Sequence, residues 1–295
     1  MKPRLSISLL VMAPALTSLL SFANAHAGPI PKATADRLLT QSFFVFDNGV
    51  GRDQQWTIEQ QAEALARFGY AGIGYSGTEH LDERLAAFKQ HKLRVFNIYV
   101  PCYVDKDPTY GDDLKAAIAR LKDTGVVIWL TVQGAAEDDA KAVKAVTEIA
   151  DLAAASNLKV ALYPHAGFFV ADIEDALRVV RKVDRKNCGV TFNLCHELNA
   201  GNEARFDQLI EEAAPHLFLV SINGADHEGG WDKLIQPLGN GSFDVVRLLR
   251  KIFDVGYEGP IGLQCYQVPG DTLANLEHNM KQWRDIVAGL AGQKK

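Results

Sequence analysis

The stretch Lys159–Asn193 reads KVALYPHAGFFVADIEDALRVVRKVDRKNCGVTFN. Its two ends, Lys159–Tyr163 and Cys188–Asn193, are short, largely apolar runs with no alternation. Continuous apolar runs suit parallel strands covered on both faces. Between them Ile173, Ala176, Leu177 and Val180 recur at i, i+3, i+4 and i+7, which places them on one helix face. The stretch therefore predicts a strand, a helix and a second strand parallel to the first.

The same unit recurs outward in both directions. Further strands are predicted at Phe43–Asp47, Ala71–Tyr75, Arg94–Val100, Val126–Val132, Leu217–Ile222 and Pro260–Cys265. Ile58, Ala62, Leu65 and Ala66 form a helical stripe. So do Leu114, Ala117, Ile118 and Leu121, and again Val245, Leu248, Leu249 and Ile252. Gly69, Gly125 and Gly256 stand where a helix stops before the next strand. Eight strands, each followed by a helix, predict a single (β/α)8 barrel of the TIM type. A doubly wound sheet would carry a glycine-rich phosphate turn after its first strand. The turn Asp47-Asn48-Gly49-Val50-Gly51 lacks the third glycine.

The chain has 295 residues, 47% of them hydrophobic, and a formal net charge of −5. That composition suits one large globular core. No basic block is present to meet a nucleic-acid backbone. At the N-terminus Lys2 and Arg4 precede an apolar run from Leu5 to Phe22, followed by Ala23-Asn24-Ala25 and Ala25-His26-Ala27. Charge, length and small-residue exit predict a cleavable signal peptide over residues 1–27. The barrel then occupies 28–295, in a periplasm or outside the cell, with no stable membrane span once the signal is removed. An oxidising compartment permits disulfides. Cys188 starts a strand and Cys195 follows its end, so these two cannot bridge. A Cys195–Cys265 pair stays open at this level, and no CxxC spacing points to zinc or redox chemistry.

In a parallel barrel the chemistry gathers at the C-terminal ends of the strands. Those ends carry Asp47, Tyr75, Tyr99, Gln133, Tyr163, His165, Asn193, His196, Asn223 and Gln264. Asn and Gln both donate and accept hydrogen bonds, and aromatic rings stack on the C–H faces of sugars. The set predicts a pocket for a small carbohydrate. His165 and His196 end adjacent strands and are candidate proton-transfer groups, with Tyr163 beside them. Asn193, Asn223, Gln264, Gln133, Tyr99, Tyr75 and Asp47 are candidate binding residues. The run Gly224–Gly241, with Trp231 inside it, reads equally as a lid or as a surface excursion.

Four segments, ALYPHAG at Ala161–Gly167, GVTFNLCHEL at Gly189–Leu198, PLGNGSFD at Pro237–Asp244 and GYEGPIGLQ at Gly256–Gln264, fall in an order that resembles the xylose isomerase-like barrel superfamily. The resemblance covers nearly the whole chain after residue 27. It implies a sugar isomerase or epimerase with a divalent metal at the barrel mouth, held by Glu, Asp, His and Glu on strands five to eight. The matching positions here read Tyr163, Asn193, Ser221 and Gln264. Divalent ions prefer anionic oxygen or imidazole, so the usual metal site is expected to be absent; a different set using His165, His196 and His227 stays open. Three readings follow. The first is a sugar-active enzyme that abstracts a proton next to a carbonyl, giving epimerisation, isomerisation or elimination. The second is a non-catalytic carbohydrate-binding barrel. The third is a glycoside hydrolase, which would need a facing carboxylate pair, with Asp47, Glu197, Asp226 and Glu228 as the available acids.

Overall fold

A computed structural model of the chain describes residues 28–51 and 56–292. The expected signal peptide, residues 1–27, lies outside the described residues.

Eight parallel strands close into a barrel in sequence order, β8 pairing back onto β1. They are β1 (Phe43–Phe46), β2 (Gly72–Ser76), β3 (Arg94–Tyr103), β4 (Val127–Gln133), β5 (Val160–Leu162), β6 (Cys188–Asn193), β7 (Leu217–Ile222) and β8 (Ile261–Leu263). The helices are α1 (Lys32–Arg37), α2 (Ile58–Phe68), α3 (Leu81–Gln90), α4 (Asp112–Arg120), α5 (Ala140–Ala155), α6 (Ile173–Val183), α7 (Leu194–Asn199), α8 (Phe206–Ala213), α9 (Trp231–Leu234), α10 (Val245–Asp254) and α11 (Thr272–Leu290). The (β/α)8 barrel expected from the repeat is the observed fold.

Two hydrophobic layers explain the non-alternating strands. Inside the barrel Phe44, Phe46, Phe96, Trp129, Tyr163 and Leu219 form one buried cluster. Trp129 meets Tyr163 edge-on at 4.5 Å, and its indole N–H donates to the Thr191 hydroxyl. Outside, residues such as Val45, Ile73, Ile98 and Val160 pack in the larger cluster that includes the helix stripes. Neighbouring residues on a strand thus point to opposite apolar layers. α2 shows why the helix edges were readable. Thr57 and Gln60 form a reciprocal capping box at its start, and Gly69 at φ 88° ends it in the left-handed region.

The strands differ from expectation mainly in length. β5 and β8 are three residues each, because the chain leaves the ladder near Pro164 and at the turn after Leu263. β3 runs on to Tyr103, paired with β4 as far as Gln133. Among the described residues no helix is long and apolar enough to cross a membrane.

Candidate active site

A cavity of about 420 Å³ opens at the C-terminal end of the barrel. β1 supplies Phe46 and, just beyond it, Asn48; β2 supplies Ser76 and β3 Tyr99. Tyr163 and His165 follow β5, and His196 stands in the first turn of α7. Gln264 and Tyr266 follow β8. Trp231 and Ile235 come from the loop after β7.

The two histidines have definable proton positions. His165 Nδ1 lies 3.0 Å from the Ala166 carbonyl oxygen. A carbonyl only accepts, so Nδ1 carries the proton and Nε2 keeps its lone pair. His196 Nδ1 accepts from the Ala166 N–H at 3.1 Å, so its proton is on Nε2. The rings are 4.3 Å apart. One residue, Ala166, therefore sets opposite tautomers in neighbouring imidazoles. Burial lowers the pKa of His165 below 6.5, opposed by its bond to Ala166. Burial, and then the neighbouring His165, lower His196 to about 3. Both rings are neutral at neutral pH. His165 is a base, and His196 a hydrogen-bond donor that resists protonation.

Under the histidines lies an uncharged network. Gln264 Nε2 donates to the Tyr163 hydroxyl at 3.3 Å, and Asn193 also hydrogen-bonds that hydroxyl. Asn193 Nδ2 donates to the Pro164 carbonyl at 3.3 Å. Gln264 Oε1 accepts from Asn48 Nδ2 and from the N–H groups of Cys265 and Tyr266. Burial holds the Tyr163 phenol well above its usual pKa of 10. At neutral pH it is therefore a protonated, hydrogen-bonding hydroxyl that faces the cavity beside the two histidines.

The four positions that match the superfamily's metal ligands do come together. Asn193 pairs with Ser221 in the β6–β7 register, and Ser221 with Gly262 two residues before Gln264. Their donors do not fit a divalent ion: a protonated phenol, two amides whose oxygens are already engaged, and a hydroxyl. His227 does not join the pair. Its Nδ1 is 2.7 Å from Glu203 Oε1 at an exposed position. Among the described residues no group of three or more His, Cys, Asp or Glu is placed to hold a metal.

Several expected binding residues lie elsewhere. Tyr75 sits under the Arg84 guanidinium, 3.8 Å from its ring centre, and does not line the cavity. Gln133 donates to Thr131 Oγ1 on its own strand. Asn223 Nδ2 donates to the carbonyls of Gly224 and Leu234, so it braces the β7 loop. Asp47 is buried and accepts from the Ser76 N–H and hydroxyl, tying β1 to β2. Tyr99, Tyr163, His165, His196 and Gln264 do line the cavity, and Asn193 lies directly beneath it. Asn48, Ser76, Trp231 and Tyr266 complete the wall. The Gly224–Gly241 run folds back through a Gly224–Gln236 bridge and sets the Trp231 ring 5.2 Å from His196. Cys195 and Cys265 are free thiols. Cys195 Sγ turns to Asn193 Oδ1 while Cys265 packs on Gly49, so the pair left open by the sequence is not formed.

Among the described residues no carboxylate lines this cavity. Asp226 is engaged by Ser242 and Gln236. Glu197 is fully buried and accepts from the Ile173 N–H at 2.7 Å and Asn202 Nδ2 at 2.9 Å. It ties the start of α6, which follows the His165 loop, to the helix that carries His196. Among the described residues the wall therefore carries no facing pair of acids of the kind a glycoside hydrolase requires.

Burial pushes Glu197 up to about 8. The folded state then keeps a proton that the unfolded chain releases near its ordinary value, so this group's contribution to stability falls as pH rises through the window ending near 8. Thermal melts of wild type and Glu197→Gln should show a flatter pH dependence in the variant between pH 5 and 8. Parallel curves would contradict this assignment.

The closed barrel and the position of its cavity define a ligand site at the face where such barrels carry their chemistry. Residues 62–287 match the sequence model of the xylose isomerase-like TIM barrel, and the chain belongs to that family. Solved structures share the fold. The IolI protein with a bound zinc atom superposes with a TM-score of 0.68 at 16% identity, covering 86% of this chain and 99% of that one. The 3-keto-D-glucoside 4-epimerase of E. coli gives 0.65 at 15% identity, covering 86% and 100%. The probable 3-DHS dehydratase of Bacillus anthracis gives 0.65 at 14%, covering 82% and 98%. An uncharacterized protein of Methanocaldococcus jannaschii, MJ1311, is 27% identical over 121 residues, spanning 41% of this chain and 40% of that relative's length.

Proposed function

We propose that this chain is a sugar-active isomerase, epimerase or lyase that removes a proton from the carbon beside a carbonyl, with His165 as the base. The observation that carries this reading is the histidine pair, one ring presenting a lone pair and the other an N–H to the same cavity. His165 Nε2 takes the proton, and the C–H electron pair moves onto the carbonyl oxygen as an enolate. The His196 Nε2–H and the Tyr163 hydroxyl are the donors for that oxyanion. Return of the proton from the His165 imidazolium to the adjacent carbon gives isomerisation; delivery of a solvent proton to the opposite face, with His165 releasing its own to water, gives epimerisation; transfer of the His165 proton to a departing β-hydroxyl, which leaves as water, gives elimination.

Among the described residues no Lys or Arg lines the cavity. A phosphate or carboxylate would meet no counter-charge there, which favours an uncharged polyhydroxylated ketone. Export through residues 1–27 would fit such a substrate, since sugar phosphates are scarce outside the cytoplasm. Tyr99, Trp231 and Tyr266 offer ring faces to its C–H edges. Trp231→Ala should raise KM about tenfold and leave kcat nearly unchanged, because the ring touches the sugar body rather than the reacting carbon. Steady-state kinetics check this, and a fall in kcat alone would oppose it.

The depressed basicity of His196, and a wall without carboxylates among the described residues, favour a second reading, a carbohydrate-binding barrel without turnover. Proton NMR in D2O on a panel of uncharged ketoses and keto-glycosides separates the two. Deuterium entering the carbon beside the carbonyl supports the enzyme. Saturable binding with no exchange supports the binding protein.

A further inference from the structure

We propose that the opposite, N-terminal end of the barrel holds a second ligand site, for a small organic dianion. A cavity of about 570 Å³ lies there, larger than the one at the active end. It is bounded by the residues that start the strands: Ser42 before β1, Arg94 of β3, Val127 of β4, Lys159 before β5, Leu217 of β7 and Pro260 before β8.

Its charge runs against that of the chain. Arg37, Arg94 and Lys159 line it, opposed by the single carboxylate of Glu258 at an exposed position. The whole sequence carries a formal net charge of −5. Among the described residues none of the three cations has a salt-bridge partner, whereas helix-side arginines such as Arg178, Arg185 and Arg247 each hold an aspartate. Instead Arg94 rests over the Phe96 ring at 4.7 Å and Lys159 over Phe218 at 4.8 Å. Arg37 donates to the Glu258 carbonyl. An exposed cation over an aromatic ring is held only weakly. Arg94 and Lys159 are free to turn to an anion, with Arg37 beside them, and guanidinium forks suit phosphate or carboxylate oxygens. A concave site of one sign focuses the field on an incoming ion.

The rest of the lining sets the ligand's body. Phe96, Phe218 and Tyr257 give the cavity an aromatic wall, with Gln41 and Asn157 as neutral polar groups. Free inorganic anions would use only the cations. A dianion with a planar or apolar body would use both. A phosphate ester and an aromatic dicarboxylate share this chemistry.

Calorimetric titration of the intact protein with phenyl phosphate, phthalate, inorganic phosphate and phenol tests the proposal. Saturable binding of phenyl phosphate or phthalate is expected, at least tenfold tighter than inorganic phosphate, with none for phenol. It should weaken as NaCl rises and fall at least tenfold in Arg94→Gln/Lys159→Gln. Binding of phenyl phosphate alone assigns a phosphate ester, and of phthalate alone a dicarboxylate. Both substituted residues are exposed, so the variant should keep the wild-type near-UV circular dichroism; Lys159→Glu alone, with an equal or larger loss, is the second check. No saturable binding by either organic dianion, or binding unchanged in these variants, overturns the site. Carbon–deuterium exchange at the active end is expected to be unaffected, so this result is independent of the proposed function.

Discussion

His165→Asn should lower kcat/KM by about 10²–10⁴-fold while ligand binding stays within a few-fold of wild type. Asparagine can keep a donor toward the Ala166 carbonyl, where His165 Nδ1 now sits at 3.0 Å. It removes Nε2, the only atom of that side chain with a free lone pair for a proton. The pH dependence gives a second readout. Burial lowers the His165 pKa below 6.5, so wild-type kcat/KM should be level near neutrality and fall on the acid side, below 6.5, as the ring takes a proton and ceases to be a base. That limb should vanish in the variant's residual activity. His196→Asn should behave differently. It loses an oxyanion donor, about 10²–10³-fold in kcat, yet retains the acid limb because His165 still titrates. Full turnover in His165→Asn would remove the base from the account.

Asn193→Asp should cost about 3–5 kcal/mol of stability at neutral pH, equivalent to roughly 6–20 °C in melting temperature for a domain of this size. Asn193 is 0% exposed, and its Nδ2 donates to the Pro164 carbonyl. Aspartate puts an acceptor oxygen against that carbonyl, beneath a cavity that no Lys or Arg lines among the described residues. The buried carboxyl then favours its protonated form, so its folded pKa is raised above the unfolded value near 3.9. The sign follows: the folded state binds more protons between those two values, so the deficit grows as pH rises through the window and shrinks toward pH 4. Melting curves of variant and wild type from pH 4 to 8 should diverge with rising pH. A variant as stable as wild type at pH 8 would mean that the β6 end tolerates charge, and that the neutral network is not what fixes this site.

The barrel was legible because its signal is repetitive. Each strand, for example Val160–Leu162 or Cys188–Asn193, is buried on both faces, so the apolar run survives small errors in its ends. The site was legible strand by strand but not residue by residue. Successive residues at a strand end face opposite sides, and a shift of one exchanges cavity for exterior. Ser76 lines the cavity while Tyr75, the more conspicuous side chain, turns out to Arg84. Gln133 and Asn223 were read from the same rule, and both bend back to brace their own backbone surroundings. Asn48 and Tyr266 belong to turns and Trp231 to the four-residue α9, all too short for a periodicity to tell which way a side chain points. The opposite tautomers of the two histidines rest on the backbone of Ala166, and a backbone contact leaves no residue-type signature.

The donor set at the superfamily's metal positions is the sharpest departure from the resemblance, and it bears directly on the chemistry. Tyr163, Asn193 and Gln264 satisfy one another and their neighbours. In the proposed reaction, proton abstraction therefore falls to His165 and oxyanion stabilisation to neutral donors. The most direct test is deuterium exchange from D2O into an uncharged keto-sugar, followed by NMR on chelator-treated protein whose metal content is measured on the same sample. Exchange is expected at an unchanged rate with no stoichiometric divalent ion present, and is expected to be lost in His165→Asn. Exchange that disappears on chelation and returns with an added divalent ion would contradict the proposed reaction.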